Sequence, residues 1–132
     1  MPARVADTSV LAAVLFQEPE ALQALALIDG ADLYEPTLLA YELASVARKK
    51  ARRSPEQRGE IFDALRLGLS MDIQWVEVSH LEALRLALDL NLTTYDASYA
   101  QVARALRVPL VTFDQRLRAA TAAQETDGGT PL

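Results

Sequence analysis

Residues 3–16 read ARVADTSVLAAVLF, and this stretch decides the fold class. It opens with a short apolar segment, residues 3–6, which predicts a buried strand. Asp7, Thr8 and Ser9 follow at once, and these residue types favour the start of a helix. The apolar residues from Val10 onward continue that helix. A buried strand that passes directly into a helix is typical of proteins built on a parallel sheet.

The same alternation of strand and helix runs through the rest of the chain. Further short strands are predicted at residues 32–35, 73–78 and 108–113. Further helices are predicted at residues 19–28, from Pro36 to Ser54, after Pro55, after Ser79, at 96–106 and, as a short last helix, from Asp114. The pattern predicts an α/β fold with a short central parallel sheet of about four to five strands flanked by helices. It predicts one domain over residues 1–120 and a flexible tail over residues 121–132.

Composition excludes several kinds of site. The chain of 132 residues contains no Cys and one His, His80, which rules out disulfides, thiolate metal sites and multi-histidine zinc sites. No apolar run approaches the roughly 20 residues that span a bilayer, and Asp7 interrupts the only segment that resembles a signal peptide. We therefore expect a cytoplasmic protein without membrane contact. The net charge of −5 means that the overall field does not attract nucleic acid.

Four acidic residues are the candidates for a functional site. Asp7 ends the first predicted strand, Asp114 ends the last, and Asp96 begins a helix. Glu42 lies beside the apolar stripe of the long helix rather than opposite it. The three Asp residues have an alternative explanation, because an Asp at a helix N-terminus stabilises the helix by about 1 kcal/mol as a cap.

Their combined placement points to a metal site. The carboxyl ends of parallel strands share one edge of the sheet, and functional groups gather there. Carboxylates within about 4–6 Å of each other repel and raise each other's pKa, so a bound cation is expected to stabilise such a cluster. An all-oxygen site without Cys or a useful His favours a hard ion, Mg²⁺ or Mn²⁺.

Four segments of the chain carry a resemblance to a known family. They are VADTSVLAAVL (residues 5–15), LLAYELASVAR (38–48), TTYDASYAQVARAL (93–106) and PLVTFDQRL (109–117). In this order they resemble the four motif regions of PIN-domain ribonucleases, and most closely those of the VapC-type toxins of toxin–antitoxin pairs. The resemblance runs from about Val5 to Leu117.

The resemblance implies an activity and a set of site residues. The implied activity is hydrolysis of RNA phosphodiester bonds by a water activated at an Mg²⁺ or Mn²⁺ site. The acidic quartet would be Asp7, Glu42, Asp96 and Asp114. The three Asp residues would bind metal, and Glu42 would position the attacking water or complete the shell of a second ion. Ser9 and Thr112 match hydroxyl positions that orient the carboxylates and waters.

A basic run lies at the end of the helix that carries Glu42. Its members are Arg48, Lys49, Lys50, Arg52 and Arg53. Cations are favoured at a helix C-terminus by the helix dipole, which explains the run structurally. The alternative is a patch that contacts RNA phosphates on the way to the metal site.

The resemblance also implies partners, and rival functions remain open. The implied partners are an RNA substrate, a cognate VapB-like antitoxin and a second copy of the chain in a homodimer.

Receiver domains and haloacid-dehalogenase phosphatases also place Asp at strand ends, but both need a Lys late in the chain, and no Lys follows Lys50. A non-enzymatic interaction module whose acids are helix caps is the remaining alternative.

Overall fold

The computed structural model describes residues 1–128, and side chains up to residue 122. Strands and helices alternate as predicted. The strands are β1 (Ala3–Ala6), β2 (Asp32–Pro36), β3 (Ile73–Val76) and β4 (Leu110–Val111). The helices are α1 (Thr8–Leu15), α2 (Ala21–Ile28), α3 (Leu38–Arg53), α4 (Arg58–Leu69), α5 (His80–Leu90), α6 (Thr94–Leu106) and α7 (Gln115–Gly128). A short 3₁₀ turn at Pro55–Gln57 separates α3 from α4.

The four strands form one parallel sheet in the order β3-β2-β1-β4. The first strand changes partner along its length. Ala3 and Arg4 pair with β2, whereas Val5 and Ala6 pair with β4. Because all strands run the same way, the end of each lies at one edge of the sheet. The predicted α/β fold with a short parallel sheet of about four to five strands is confirmed, and the sheet has four strands in the described residues.

The core lies between this sheet and the helices packed on it. Helix α6 contacts β1, β2 and β4. It presents small buried residues, Ala97 and Ala100, beside the fully buried Tyr99. Ala97 and Ala100 belong to the cluster that α6 forms with α5, whereas Tyr99 belongs to the cluster that covers the sheet. Helix α1 packs against α2, α3 and α4 and buries Val10 and Leu11.

Three local expectations differ from the structure. The place of Trp75 in a predicted strand favours burial in the core, but 41% of the residue is exposed on the edge strand β3. Residues 108–113 form a strand only at Leu110–Val111. The last helix is longer than predicted, since α7 continues to Gly128. The predicted flexible tail therefore begins within a helix, and its last residues, 129–132, lie outside the described residues. No described helix is long and apolar enough to cross a membrane.

Candidate active site

Asp7 is held by two hydroxyl groups at the sheet edge. It directly follows β1 and is only 5% exposed. The Ser9 hydroxyl donates to Oδ1 at 2.6 Å, and the Thr112 hydroxyl donates to Oδ2 at 2.5 Å. Burial raises the pKa of Asp7, these hydrogen bonds oppose the shift, and the charge of Asp114 adds to it. Asp7 is the N-cap residue of α1, where the Val10 N–H also lowers its pKa, although its side chain makes no full capping hydrogen bond.

The same two hydroxyls join Asp7 to the loop after β4. Ser9 Oγ accepts a hydrogen bond from the Phe113 N–H at 3.0 Å, and Thr112 Oγ1 accepts one from the Asp114 N–H at 2.9 Å. Each hydroxyl thus donates to the carboxylate and accepts from the backbone next to the last acid. These contacts fix Asp7 relative to Asp114 although the two are far apart in sequence.

Glu42 is bound by two hydroxyls of its own. It is half-buried on α3, and its Oε1 accepts from Tyr99 Oη at 2.6 Å and from Thr8 Oγ1 at 2.7 Å. Burial and the bond to Glu42 raise the pKa of Tyr99 well above its ordinary value, so Tyr99 is a neutral donor. Glu42 is therefore not a freely solvated helix residue. The contacts of Thr8 and Tyr99 with Glu42 were not predicted from the sequence.

Asp96 faces the other three acids from the first turn of α6. Thr93 is the N-cap of this helix, and its hydroxyl accepts the Asp96 N–H at 3.0 Å, so Asp96 is not the cap. Burial raises the pKa of Asp96, and the charges of Asp114, Asp7 and Glu42 add to the shift. This coupling shows that the four carboxylates share one electrostatic environment.

Asp114 has a capping role as well. It is exposed after β4, and its Oδ1 accepts the Leu117 N–H at 2.9 Å, as an N-cap of α7 does. Of the three Asp side chains, that of Asp114 makes the capping hydrogen bond, whereas Asp7 lies at an N-cap position without one and Asp96 lies inside the first turn of its helix. That bond uses one carboxylate oxygen and leaves Oδ2 for other interactions.

The donor set fits a hard divalent ion, although the side chains do not stand in a closed coordination shell. Ion pairs in the described part of the chain join Lys50 to Glu18, Arg66 to Asp63 and Arg85 to Glu82, so none neutralises the quartet. Within the same residues, no three His, Asp or Glu side chains are grouped closely enough to hold a metal ion. Carboxylates whose charges raise the pKa of Asp7 and Asp96 are suitable ligands for Mg²⁺ or Mn²⁺.

Glu35 is a fifth acid beside the site, and it was not predicted from the sequence. It lies in β2, is completely buried and accepts the Ala6 N–H through Oε2 at 2.9 Å. Its Oε1 has no partner within the described residues. Burial raises the pKa of Glu35 to about 9, and the charge of Asp7 contributes to the shift. The available signal was an acidic residue inside a short strand predicted to be buried on both faces.

The basic run is divided between exposed and paired side chains. Lys50 binds Glu18 at 3.1 Å and lies 5.7 Å from the centroid of the Phe16 ring. The other four residues, Arg48, Lys49, Arg52 and Arg53, are exposed on α3. Helical spacing places Lys49 and Arg53, seven and eleven residues after Glu42, on the same side of α3 as Glu42, about 10 and 16 Å along its axis.

Comparison with known proteins identifies the family. Residues 4–123 match the PIN domain, so the chain belongs to the PIN-domain family. Within that family it belongs to the VapC ribonucleases. It is 34% identical to ribonuclease VapC9 of Mycobacterium tuberculosis over 86% of this chain and 87% of the relative. It is 32% identical to ribonuclease VapC3 of Pyrobaculum aerophilum over 86% of this chain and 90% of the relative.

The solved structure of PAE2754 from Pyrobaculum aerophilum has the same architecture. It superposes with a TM-score of 0.72 at 29% sequence identity and covers 90% of this chain and 79% of that one. The resemblance noted in the four sequence motifs is therefore confirmed by both sequence and fold.

Proposed function

We propose that this chain is a metal-dependent endoribonuclease that hydrolyses RNA phosphodiester bonds, and that it is the toxin of a type II toxin–antitoxin pair. Membership of the VapC ribonucleases supports the reaction. The observation that supports the metal site is the raised pKa of Asp96. Burial raises it most, and the charges of Asp114, Asp7 and Glu42, which come from three other segments, add to the shift.

The residues fall into ligands and groups that position them. Asp7, Asp96 and Asp114 would hold the Mg²⁺ or Mn²⁺, and Glu42 would position the attacking water or contribute to a second ion. When bound, such an ion lowers the pKa of water and stabilises charge that develops on the phosphoryl oxygens. Ser9 and Thr112 keep the Asp7 carboxylate in one orientation. Tyr99 and Thr8 do the same for Glu42, whose Oε2 is left for the water.

Chelation is the direct test of this function. The purified chain is expected to cleave single-stranded RNA in Mg²⁺ or Mn²⁺, to lose this activity in EDTA and to regain it when the ion is restored. The reason is that the proposed nucleophile is a water activated by the bound ion. Cleavage is followed by gel electrophoresis of an end-labelled RNA.

A thermal melt provides a second readout of the same site. A repelling carboxylate cluster gains stability from Mn²⁺ by ligand linkage, about 2.7 kcal/mol at 100 times the Kd. The Asp63→Asn variant is the control, because Asp63 is exposed on α4 and should leave this gain unchanged. Cleavage that survives EDTA, or a melt that does not respond to Mn²⁺, would contradict the metal site.

The exposed cations of α3 are expected to contribute phosphate contacts. The double variant Lys49→Ala/Arg53→Ala should weaken RNA binding and reduce the slope of log K against log salt by about 1.4, or roughly 0.7 for each lost contact to a single strand. Binding is measured by fluorescence anisotropy in the Asp7→Asn background, where the RNA stays intact.

The matched control replaces two arginines elsewhere. Arg66 and Arg85 lie outside the α3 run and are each paired with an acid three residues before them. The double variant Arg66→Ala/Arg85→Ala should keep the wild-type slope. An unchanged slope in the Lys49 and Arg53 variant would assign the basic run to helix capping alone.

We propose an antitoxin and a second copy of the chain as protein partners, and the cytoplasm as the location. Exposed apolar residues support protein partners. Helix α5 buries Ala83, Leu86 and Ala87 on one face, but its opposite face is also apolar. That face carries three exposed leucines, Leu81, Leu84 and Leu88. An apolar stripe at helical spacing on a solvent-facing surface is typical of an interaction site.

A further inference from the structure

A side chain replaces a main-chain hydrogen bond of the sheet immediately before Asp7. The N–H groups of Val5 and Asp7 point to the β4 side of β1, where they bind the carbonyls of Pro109 and Val111. The N–H of Ala6 points the other way, toward β2. In a regular parallel ladder it would bind a main-chain carbonyl of β2. It binds the carboxyl group of Glu35 instead.

We propose that Glu35 is a positioning residue for Asp7. The hydrogen bond from Ala6 holds the peptide before Asp7 on the β2 side, and the bond from the Asp7 N–H to Val111 holds it on the β4 side. Glu35 thereby fixes the backbone from which the Asp7 carboxylate extends. This inference rests on the proposed function, since it assumes that Asp7 binds the metal ion.

Stability alone does not account for Glu35 at this position. A buried carboxyl group loses its hydration, and its Oε1 gains no partner in exchange within the described residues. An apolar side chain would fill the same space without that cost. The position also lies close enough to Asp7 for the two carboxyl groups to repel when both are charged. The hydrogen bond that Glu35 accepts from Ala6 beside the site explains why a group with these costs is present.

The position of Glu35 in the sheet is consistent with this role. Beyond Arg4 and Leu33 the pairing between β1 and β2 stops, and β1 continues with β4. The end of β1 would then have support on one side only. Glu35 supplies the support on the other side at the residue next to Asp7. Metal ligands need placement within about 0.5 Å, so a loosened backbone is expected to weaken ion binding.

Two substitutions separate positioning from packing. Glu35→Met keeps an unbranched side chain of similar length but removes the acceptor for Ala6. It is expected to lower the affinity for Mn²⁺ about 10- to 100-fold, the range for loss of a group that orients a metal ligand. Glu35→Gln keeps a neutral acceptor and is expected to stay within about threefold of the wild-type affinity. Affinity is measured by isothermal titration with Mn²⁺ alone, on protein shown to be folded by circular dichroism.

Leu33→Ala is the control for a general loss of stability. Leu33 is buried in the same strand, two residues earlier and away from the site. This variant should melt at a lower temperature but bind Mn²⁺ as the wild type does. Wild-type affinity in Glu35→Met would overturn the proposal, as would failure of that variant to fold, because Glu35 would then serve the fold. A wild-type chain that binds no Mn²⁺ would instead refute the proposed metal site.

Discussion

Replacing Asp7 by Asn is expected to abolish RNA cleavage while the protein stays folded. Asp7 is the most buried of the four acids, and two hydroxyl donors hold its carboxylate in place. Asn supplies one neutral carbonyl oxygen in place of the two oxygens of the charged carboxylate. The loss should exceed the roughly 10- to 100-fold that follows removal of a group around a metal ligand, because the ligand itself is removed.

The fold is expected to tolerate this change because the charge of Asp7 opposes folding. Burial and the neighbouring charge of Asp114 raise the pKa of Asp7, which means that its ionised form is less stable in the folded chain than in the unfolded one. Removing the charge relieves that cost. The melting temperature of Asp7→Asn should therefore equal or exceed that of the wild type in the absence of divalent ions.

The measurement is cleavage of an end-labelled RNA at matched protein concentration. Asp63→Asn makes the same chemical change at an exposed residue of α4 and should cleave at the wild-type rate. Cleavage by Asp7→Asn at the wild-type rate in Mg²⁺ or Mn²⁺ would remove Asp7 from the site. A loss of cleavage with a collapsed melting transition would show only that the variant is unfolded.

Much of the fold follows from local signals in the sequence. The Ser79 cap of α5, with its hydroxyl bound to the Glu82 N–H, was identifiable because a capping box involves neighbours in the chain. The end of α3 at Ser54 was identifiable from the following Pro55. The four acids were identifiable because each lies at a strand end or within a recognisable motif. Their electrostatic coupling is a result of the fold.

The features that the sequence did not predict depend on contacts across the fold. Spacing cannot tell which face of α5 is buried, because Leu81 and Leu86 lie on opposite faces that are both apolar. Trp75 is half-exposed because β3 has a neighbour on one side only. Glu35 was not predicted because Ala6, with which it forms a hydrogen bond, is 29 residues earlier and on another strand. No local sequence pattern predicts a contact between residues that are far apart in the chain.

Glu35→Gln is expected to change how the stability of the protein depends on pH. In the folded chain the pKa of Glu35 is raised to about 9, against 4.5 for an ordinary Glu. Between these values the folded state carries a proton on this group that the unfolded state has lost. The wild type therefore loses stability as the pH rises through this range, by up to about 1.4 kcal/mol per pH unit from this group. Gln carries no such proton, so the variant lacks this contribution.

The free energy of unfolding of Glu35→Gln is expected to exceed that of the wild type. The excess should grow from pH 5 to about pH 9 and then level off. Urea denaturation at several pH values in EDTA measures it, since chelation removes the contribution of bound ions. Asp7 and Tyr99, the titratable groups coupled to Glu35, are present in both proteins, and the raised pKa of Tyr99 keeps it neutral throughout. Asp32→Asn changes an exposed residue in the same strand, and its free energy of unfolding should depend on pH as that of the wild type does. If Glu35→Gln also ran parallel to the wild type, Glu35 would be ionised in the folded chain, and a buried carboxylate would then face Asp7 with its repulsion unrelieved.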